Sequence, residues 1–206
     1  DPIGDLQPLQ PDLLINLSAS PYAQGKGQQR RDLVAAAARR LGCGVVYVNQ
    51  VGGNDELVFD GGSFVMDATG SMAAQLPWAE TALACWDATA AVTASGPSTG
   101  FPLPSNDDLL LRTLVLGVRD YARKCGFRKA LLGLSGGIDS ALVAVIAAAA
   151  LGAERVGALL MPSPWSSEGS LRDAEALAAR LGLTTHTTAI APLMAGFDTA
   201  LAPVLD

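Results

Sequence analysis

Short apolar runs alternate with longer amphipathic ones along this chain, and turn residues punctuate them. Leu13 to Leu17 is dominated by apolar side chains and bounded by turn formers, the pattern of a buried strand. Ser18 to Gly27 reads as a loop, and Gln28 to Leu41 as a helix with Gly42 just past its end. Val45 to Asn49 is a second buried strand. Leu57 to Phe59 and Ser63 to Met66 flank Asp60-Gly61-Gly62, which predicts a hairpin closed by a glycine-containing turn.

From Ala94 to Asn106 the chain is dense in Pro, Gly and Ser and reads as a linker. Beyond it, Leu109 to Cys125 has the spacing of an amphipathic helix and Ala130 to Leu134 that of a strand. A helix is expected from about Ser140 to Leu151, and strands at Val156 to Leu160 and Leu183 to Ile190. Ser170-Leu171-Arg172-Asp173 has the form of a capping box and predicts a helix running to Leu181, closed by Gly182. Strand and helix in strict alternation imply right-handed crossovers and a parallel sheet. The fold class is therefore α/β, and ligands of such a sheet sit at the carboxyl ends of its strands.

Half of the 206 residues are apolar and 17% are charged, so a packed core is available and disorder is not expected. The net charge of -6 argues against a nucleic-acid backbone as partner. Cys43, Cys85 and Cys125 lie far apart, and His186 is the single histidine. That spacing offers neither a zinc site nor a disulfide framework. The longest apolar run, Ala141 to Leu151, falls short of the roughly 20 residues that cross a bilayer. No leader or lipidation motif is visible, so a cytoplasmic protein without membrane contact is expected. The first residue is not Met and the last ones sit in a helical pattern, the signs of a segment of something longer.

The strongest chemical signal is Ser135-Gly136-Gly137-Ile138-Asp139-Ser140, set between an apolar strand and an apolar helix. Adjacent glycines let the backbone turn tightly and approach a ligand. Free N–H groups at a helix start, with the helix dipole behind them, attract phosphate. Ser135 and Ser140 add hydroxyls. Asp139 has the wrong charge to grip phosphate, and fits if Mg2+ lies between. No lysine follows, as a Walker A loop requires, and G-x-G-x-x-G is absent. A glycine-rich turn without a ligand is the alternative reading. Ser-Gly-Gly-x-Asp-Ser resembles the signature of the ATP pyrophosphatases, which implies ATP and Mg2+ and an adenylated intermediate from which a nucleophile displaces AMP.

The surrounding text is more specific. Leu116-Gly117-Val118-Arg119-Asp120-Tyr121, Cys125-Gly126-Phe127 and Met161-Pro162-Ser163-Pro164-Trp165-Ser166-Ser167-Glu168-Gly169-Ser170 resemble the synthetase domain of the glutamine-dependent NAD synthetases. Before the linker, Asn16-Leu17-Ser18-Ala19-Ser20-Pro21-Tyr22 and Tyr47 to Ser63 resemble their glutaminase domain, which has the nitrilase fold. The resemblance implies the C-terminal part of a nitrilase-like αββα domain over residues 1–93. A linker over 94–106 follows, then a doubly wound parallel sheet of the adenine nucleotide α-hydrolase kind over 107–206. It implies glutamine, ATP and nicotinic acid adenine dinucleotide as substrates, and a homo-oligomer. Another ATP-pyrophosphatase amidotransferase, or a nucleotide-binding piece without catalysis, are the competing readings.

Two departures follow from the same resemblance. The Glu-Lys-Cys set of nitrilase-type amidases precedes the Asn-Leu-Ser segment, so this chain lacks it. The later Gly-Asn-Lys-Ser-Glu-type segment is absent too. The chain alone is therefore expected to be inactive. Residues 135 to 140 are the expected ATP contacts, with Asp139 as the Mg2+ ligand or else a helix N-terminal charge. Met161 is expected against adenine or as core filling, and Ser166 and Ser167 as ATP contacts or as loop and cap residues. Ser18, Ser20 and Arg30 are candidates for the glutamine pocket. Arg30 suits a carboxylate by its bidentate fork, with a solvated helix face as the other possibility. Lys26 is not the catalytic lysine, and His186 is read as structural.

Overall fold

The computed structural model describes residues 1–88 and 101–205. Residues 94–100 of the expected linker lie outside the described residues, and residues 101–105 carry no helix or strand. The chain forms two compact units, Asp1–Tyr121 and Ala122–Asp206.

The first unit begins with a short helix, α1 (Pro2–Leu6), and strand β1 (Leu13–Ser18). Helix α2 (Lys26–Leu41) follows, starting two residues before the apolar spacing suggests and ending at Gly42, which takes the left-handed conformation that lacks a Cβ penalty. Then come β2 (Gly44–Asn49), β3 (Val51–Asn54), β4 (Leu57–Asp60), β5 (Phe64–Met66), β6 (Met72–Gln75) and α3 (Asn106–Lys124). The main sheet has the order β1-β2-β5-β6; β1 and β2 are parallel and the other pairs antiparallel. Helix α2 covers one face, with Val34, Ala35 and Ala38 packed over Val45, Tyr47, Phe64 and Met66. Burying each such large apolar side chain is worth about 1.5–3 kcal/mol.

The hairpin expected around Asp60-Gly61-Gly62 does not form. Strand β4 pairs with β3 in a separate two-stranded sheet, and β5 pairs with β2 and β6. Gly61 and Gly62 both have left-handed φ, and a Cβ on Gly62 would lie 2.4 Å from the Trp78 ring. These glycines pass the chain from one sheet to the other beneath a buried tryptophan. The hairpin turn is Asp55-Glu56 instead, with Asp55 itself at φ 51.

The second unit comprises β7 (Ala130–Gly133), α4 (Ile138–Leu151), β8 (Val156–Leu160), α5 (Glu168–Leu181), β9 (Thr184–Thr187) and α6 (Ala191–Leu205). Its sheet is parallel with order β7-β8-β9. Val156, Ala158 and Leu160 of the central strand are buried with Ala144 and Ala147 of α4 and Ala174 and Ala178 of α5. Alanines at those positions bring both helices close to the sheet. Strand β9 is shorter than Leu183 to Ile190 and exposed throughout, as its Thr and His content permits at an edge. The expected capping box is displaced: α5 starts three residues earlier, and Ser167 is the cap, accepting from the Ser170 N–H at 3.1 Å. Ser170 sits inside the first turn. Among the described residues, no helix is long and apolar enough to cross a membrane.

Candidate active site

The turn 135–140 leaves the carboxyl end of β7 and enters α4. Its two serines hold its shape. Ser140 Oγ donates to the Gly137 carbonyl at 3.0 Å and accepts from the Ser135 N–H at 3.2 Å, and the two hydroxyls lie 3.1 Å apart. The Gly137 N–H donates to Ser135 Oγ at 3.3 Å.

The two glycines serve different ends. Gly136 has φ +84, and a Cβ there would fall 2.1 Å from the Ser170 carbonyl oxygen, so the turn is pressed against the start of α5. Gly137 has ordinary extended dihedrals (φ -81, ψ 157), and a Cβ would meet only Ser135 Oγ, at 3.4 Å. Gly137 is the N-cap of α4 and offers no side-chain cap. The first N–H groups of a helix have no intrahelical acceptor. Those of Ile138, Asp139 and Ser140 are thus presented at an exposed turn with the helix dipole behind them. Helix α5 has its serine cap; α4 has none.

Asp139 is exposed in the first turn of α4. Among the described residues there is no group of three or more His, Cys, Asp or Glu side chains able to hold a metal. A magnesium ion at this turn would take one carboxylate from the protein and its remaining oxygens from phosphate and water, a donor set usual for that ion. Met161, half exposed just past β8, lies over β7: a Cβ on Gly133 would come 3.2 Å from its Cε. Ser166 Oγ accepts from the Ser163 N–H at 2.9 Å, closing a local turn, while Ser167 is the cap of α5. His186 lies exposed on β9.

In the first unit, Ser18 ends β1 and donates to Asn16 Oδ1 at 2.8 Å. Arg30 is 6% exposed and Asp60 0%, so Arg30 does not lie on a solvated face. Its guanidinium makes five hydrogen bonds within the protein. Nη1 donates to Asp60 Oδ1 and Oδ2 at 2.8 and 2.9 Å, Nη2 to the carbonyls of Ser20 and Pro21 at 2.9 and 3.0 Å, and Nε to Ser20 Oγ at 3.2 Å. The guanidinium is turned inward onto Asp60 and the Ser20 and Pro21 carbonyls. Burial pushes the Asp60 carboxyl up, and the Arg30 guanidinium pulls it back. Lys26, half buried at the first position of α2, adds a second cationic influence on Asp60. Burial, then Asp60 and Asp107, holds the Tyr22 phenol above its ordinary value. Neither Asp60 nor Asn49 was visible as a partner of this loop from sequence, because each is brought to it by sheet pairing rather than by spacing.

The glycine-rich turn at the end of a parallel strand, uncapped and lysine-free, places the second unit among α/β units built on a parallel sheet. Family models agree on both halves: NAD synthase matches residues 110–204, and carbon-nitrogen hydrolase matches residues 6–95. A glutamine-dependent NAD(+) synthetase from Synechocystis is 49% identical over 99% of this chain and 37% of its own length. One from Rhodobacter capsulatus is 44% identical over 100% of this chain and 38% of its own. The structure of the glutamine-dependent NAD+ synthetase of Acinetobacter baumannii in complex with adenosine diphosphate superposes with a TM-score of 0.88 at 36% identity. It covers 98% of this chain and 38% of that one. The Cytophaga hutchinsonii enzyme, at 20% identity and a TM-score of 0.75, supports the fold alone. This chain belongs to the glutamine-dependent NAD(+) synthetase family, and it spans little more than a third of the curated relatives' length.

Proposed function

We propose that the whole protein converts nicotinic acid adenine dinucleotide to NAD with ATP, using ammonia released from glutamine. The observation that carries this is the bare N-terminus of α4 behind Gly137, in a chain whose relative binds ADP. A carboxylate oxygen of the dinucleotide attacks the α-phosphorus of ATP and pyrophosphate leaves. Ammonia then adds to the activated carbonyl, AMP departs, and the amide remains. The N–H groups of residues 138–140 would hold the negative charge of the leaving pyrophosphate. The Asp139 carboxylate would hold a magnesium ion, which would neutralise phosphate charge. Met161 would border the adenine, and Ser166 and Ser167 would shape the rim through the turn and cap they form.

Ser18 and Ser20 are proposed for the glutamine pocket, with Arg30 behind Ser20 rather than against the substrate. The 206 residues alone are proposed to be inactive. Cys43 is buried with its thiol pushed up by burial, while Cys85 and Cys125 are exposed. Cytoplasmic location and homo-oligomerisation complete the reading; ultracentrifugation of the whole protein checks the second.

The test is turnover of the whole protein with the deamido dinucleotide, ATP, Mg2+ and glutamine. NAD should form, and Asp139→Ala should slow it by about 100-fold, the scale for removing one group that stabilises transition-state charge. No NAD from that mixture would transfer the case to another ATP-pyrophosphatase amidotransferase.

A further inference from the structure

Ser20 is held more completely than a loop residue needs for folding. Its N–H donates to Asn49 Oδ1 at 2.9 Å, and its carbonyl accepts from Asn49 Nδ2 at 3.1 Å and from Arg30 Nη2 at 2.9 Å. Its hydroxyl oxygen accepts from Arg30 Nε at 3.2 Å. Asn49 is itself fixed, its Nδ2 donating to the Gly61 carbonyl at 3.3 Å and its N–H to Ser63 Oγ at 3.0 Å. Arg30 is fixed by both oxygens of Asp60, a residue with no exposed surface. The Tyr22 N–H, donating to the Val58 carbonyl at 2.7 Å, ties down the far side of the loop.

A serine hydroxyl has one hydrogen to give and two lone pairs. Arg30 Nε–H occupies a lone pair of Ser20, so the hydroxyl acts there as an acceptor and its own hydrogen is left over. Among the described residues that hydrogen meets no protein acceptor. Ser20 is only half buried, so its hydroxyl is not sealed inside the core. Fixing a donor in advance removes the cost of orienting it when a substrate binds.

Resting on the glutaminase reading above, we propose that Arg30, anchored by Asp60, is a positioning residue for glutamine, acting through Ser20. Asp60 fixes the guanidinium, the guanidinium fixes the Ser20 hydroxyl, and the hydroxyl hydrogen is aimed at a carboxylate or amide oxygen of the substrate. Lysine cannot replace arginine here, because three donors on one nitrogen cannot reach Asp60, Ser20 Oγ and two carbonyls at once.

The experiment is a double-mutant cycle in the whole protein, reading KM and kcat for glutamine, with NAD formation from added ammonium as the internal reference. Arg30→Lys and Ser20→Ala should each raise the glutamine KM by about tenfold, the equivalent of one hydrogen bond to a charged group. The pair together should raise it little further, because both act through one hydroxyl. Independent, multiplying effects would overturn the proposal, as would an Arg30→Lys protein with unchanged glutamine KM. Should Arg30→Lys fail to fold, seen as loss of the ammonium-driven rate too, Ser20→Ala decides alone: a KM within twofold of the unaltered protein would overturn the proposal. An unaltered protein that uses ammonium and not glutamine overturns the underlying reading first, before any substitution is made.

Discussion

At the scale of single residues, the two glycines of the turn meet different surroundings, and under the proposed nucleotide site they separate folding from binding. Gly136→Ala places a methyl group 2.1 Å from the Ser170 carbonyl at a left-handed φ, and no flexible side chain stands there to give way. It should destabilise the ligand-free protein by at least about 2 kcal/mol in denaturant unfolding. Gly137→Ala meets nothing but Ser135 Oγ at ordinary contact distance. Ligand-free stability should stay within about 0.5 kcal/mol, while calorimetry should show nucleotide binding weakened by about tenfold. Equal effects of the two substitutions would contradict the division. The turn was legible in the sequence because every hydrogen bond within it joins residues at most five positions apart; its contact with Ser170 was not. The surroundings of Arg30 were not legible: its partner Asp60 is 30 residues away and arrives through the β3–β4 sheet, which no local spacing announces.

At the scale of elements, strands with strong apolar runs and helices closed by glycine were readable, since Leu13–Ser18, Val156–Leu160 and Gly42 state their roles locally. Pairing was not. The Asp60-Gly61-Gly62 stretch has hairpin chemistry, and only the Trp78 ring packed on Gly62 shows why it crosses between sheets. Helix α5 had two serines able to cap it, Ser167 and Ser170, and hydrogen-bond geometry selects the first. Ser167→Ala should therefore lower stability by about 1 kcal/mol, with Ser170→Ala costing clearly less, as thermal unfolding would show. Helix α3 also exceeded the sequence reading. Family matching begins the NAD synthase segment at residue 110, whereas by compactness the chain divides after Tyr121. The Gly53 N–H donates to Asp120 Oδ2 at 2.9 Å, and Gly117 lies against Gly53, which fixes this helix on the β3–β4 hairpin.

At the scale of the molecule, each unit has one well-covered sheet face. In the first, Ile15, Leu17 and Val48 are exposed on the face opposite α2; in the second, Ile138, Leu142 and Val143 are exposed on α4. The relatives being nearly three times as long, the 206 residues should bind ADP weakly at most and release no ammonia from glutamine. Ammonia detected from the chain by itself would refute this.

The uncapped start of α4 also has a bearing on how the protein survives when starved of energy. A helix end normally closed by its own sequence has no side-chain cap here; if nucleotide closes it, as proposed, occupancy and folding become one equilibrium. At a nucleotide level 100 times the dissociation constant, the second unit would gain about 2.7 kcal/mol of resistance to unfolding, and it would lose that margin as cellular ATP and ADP fell.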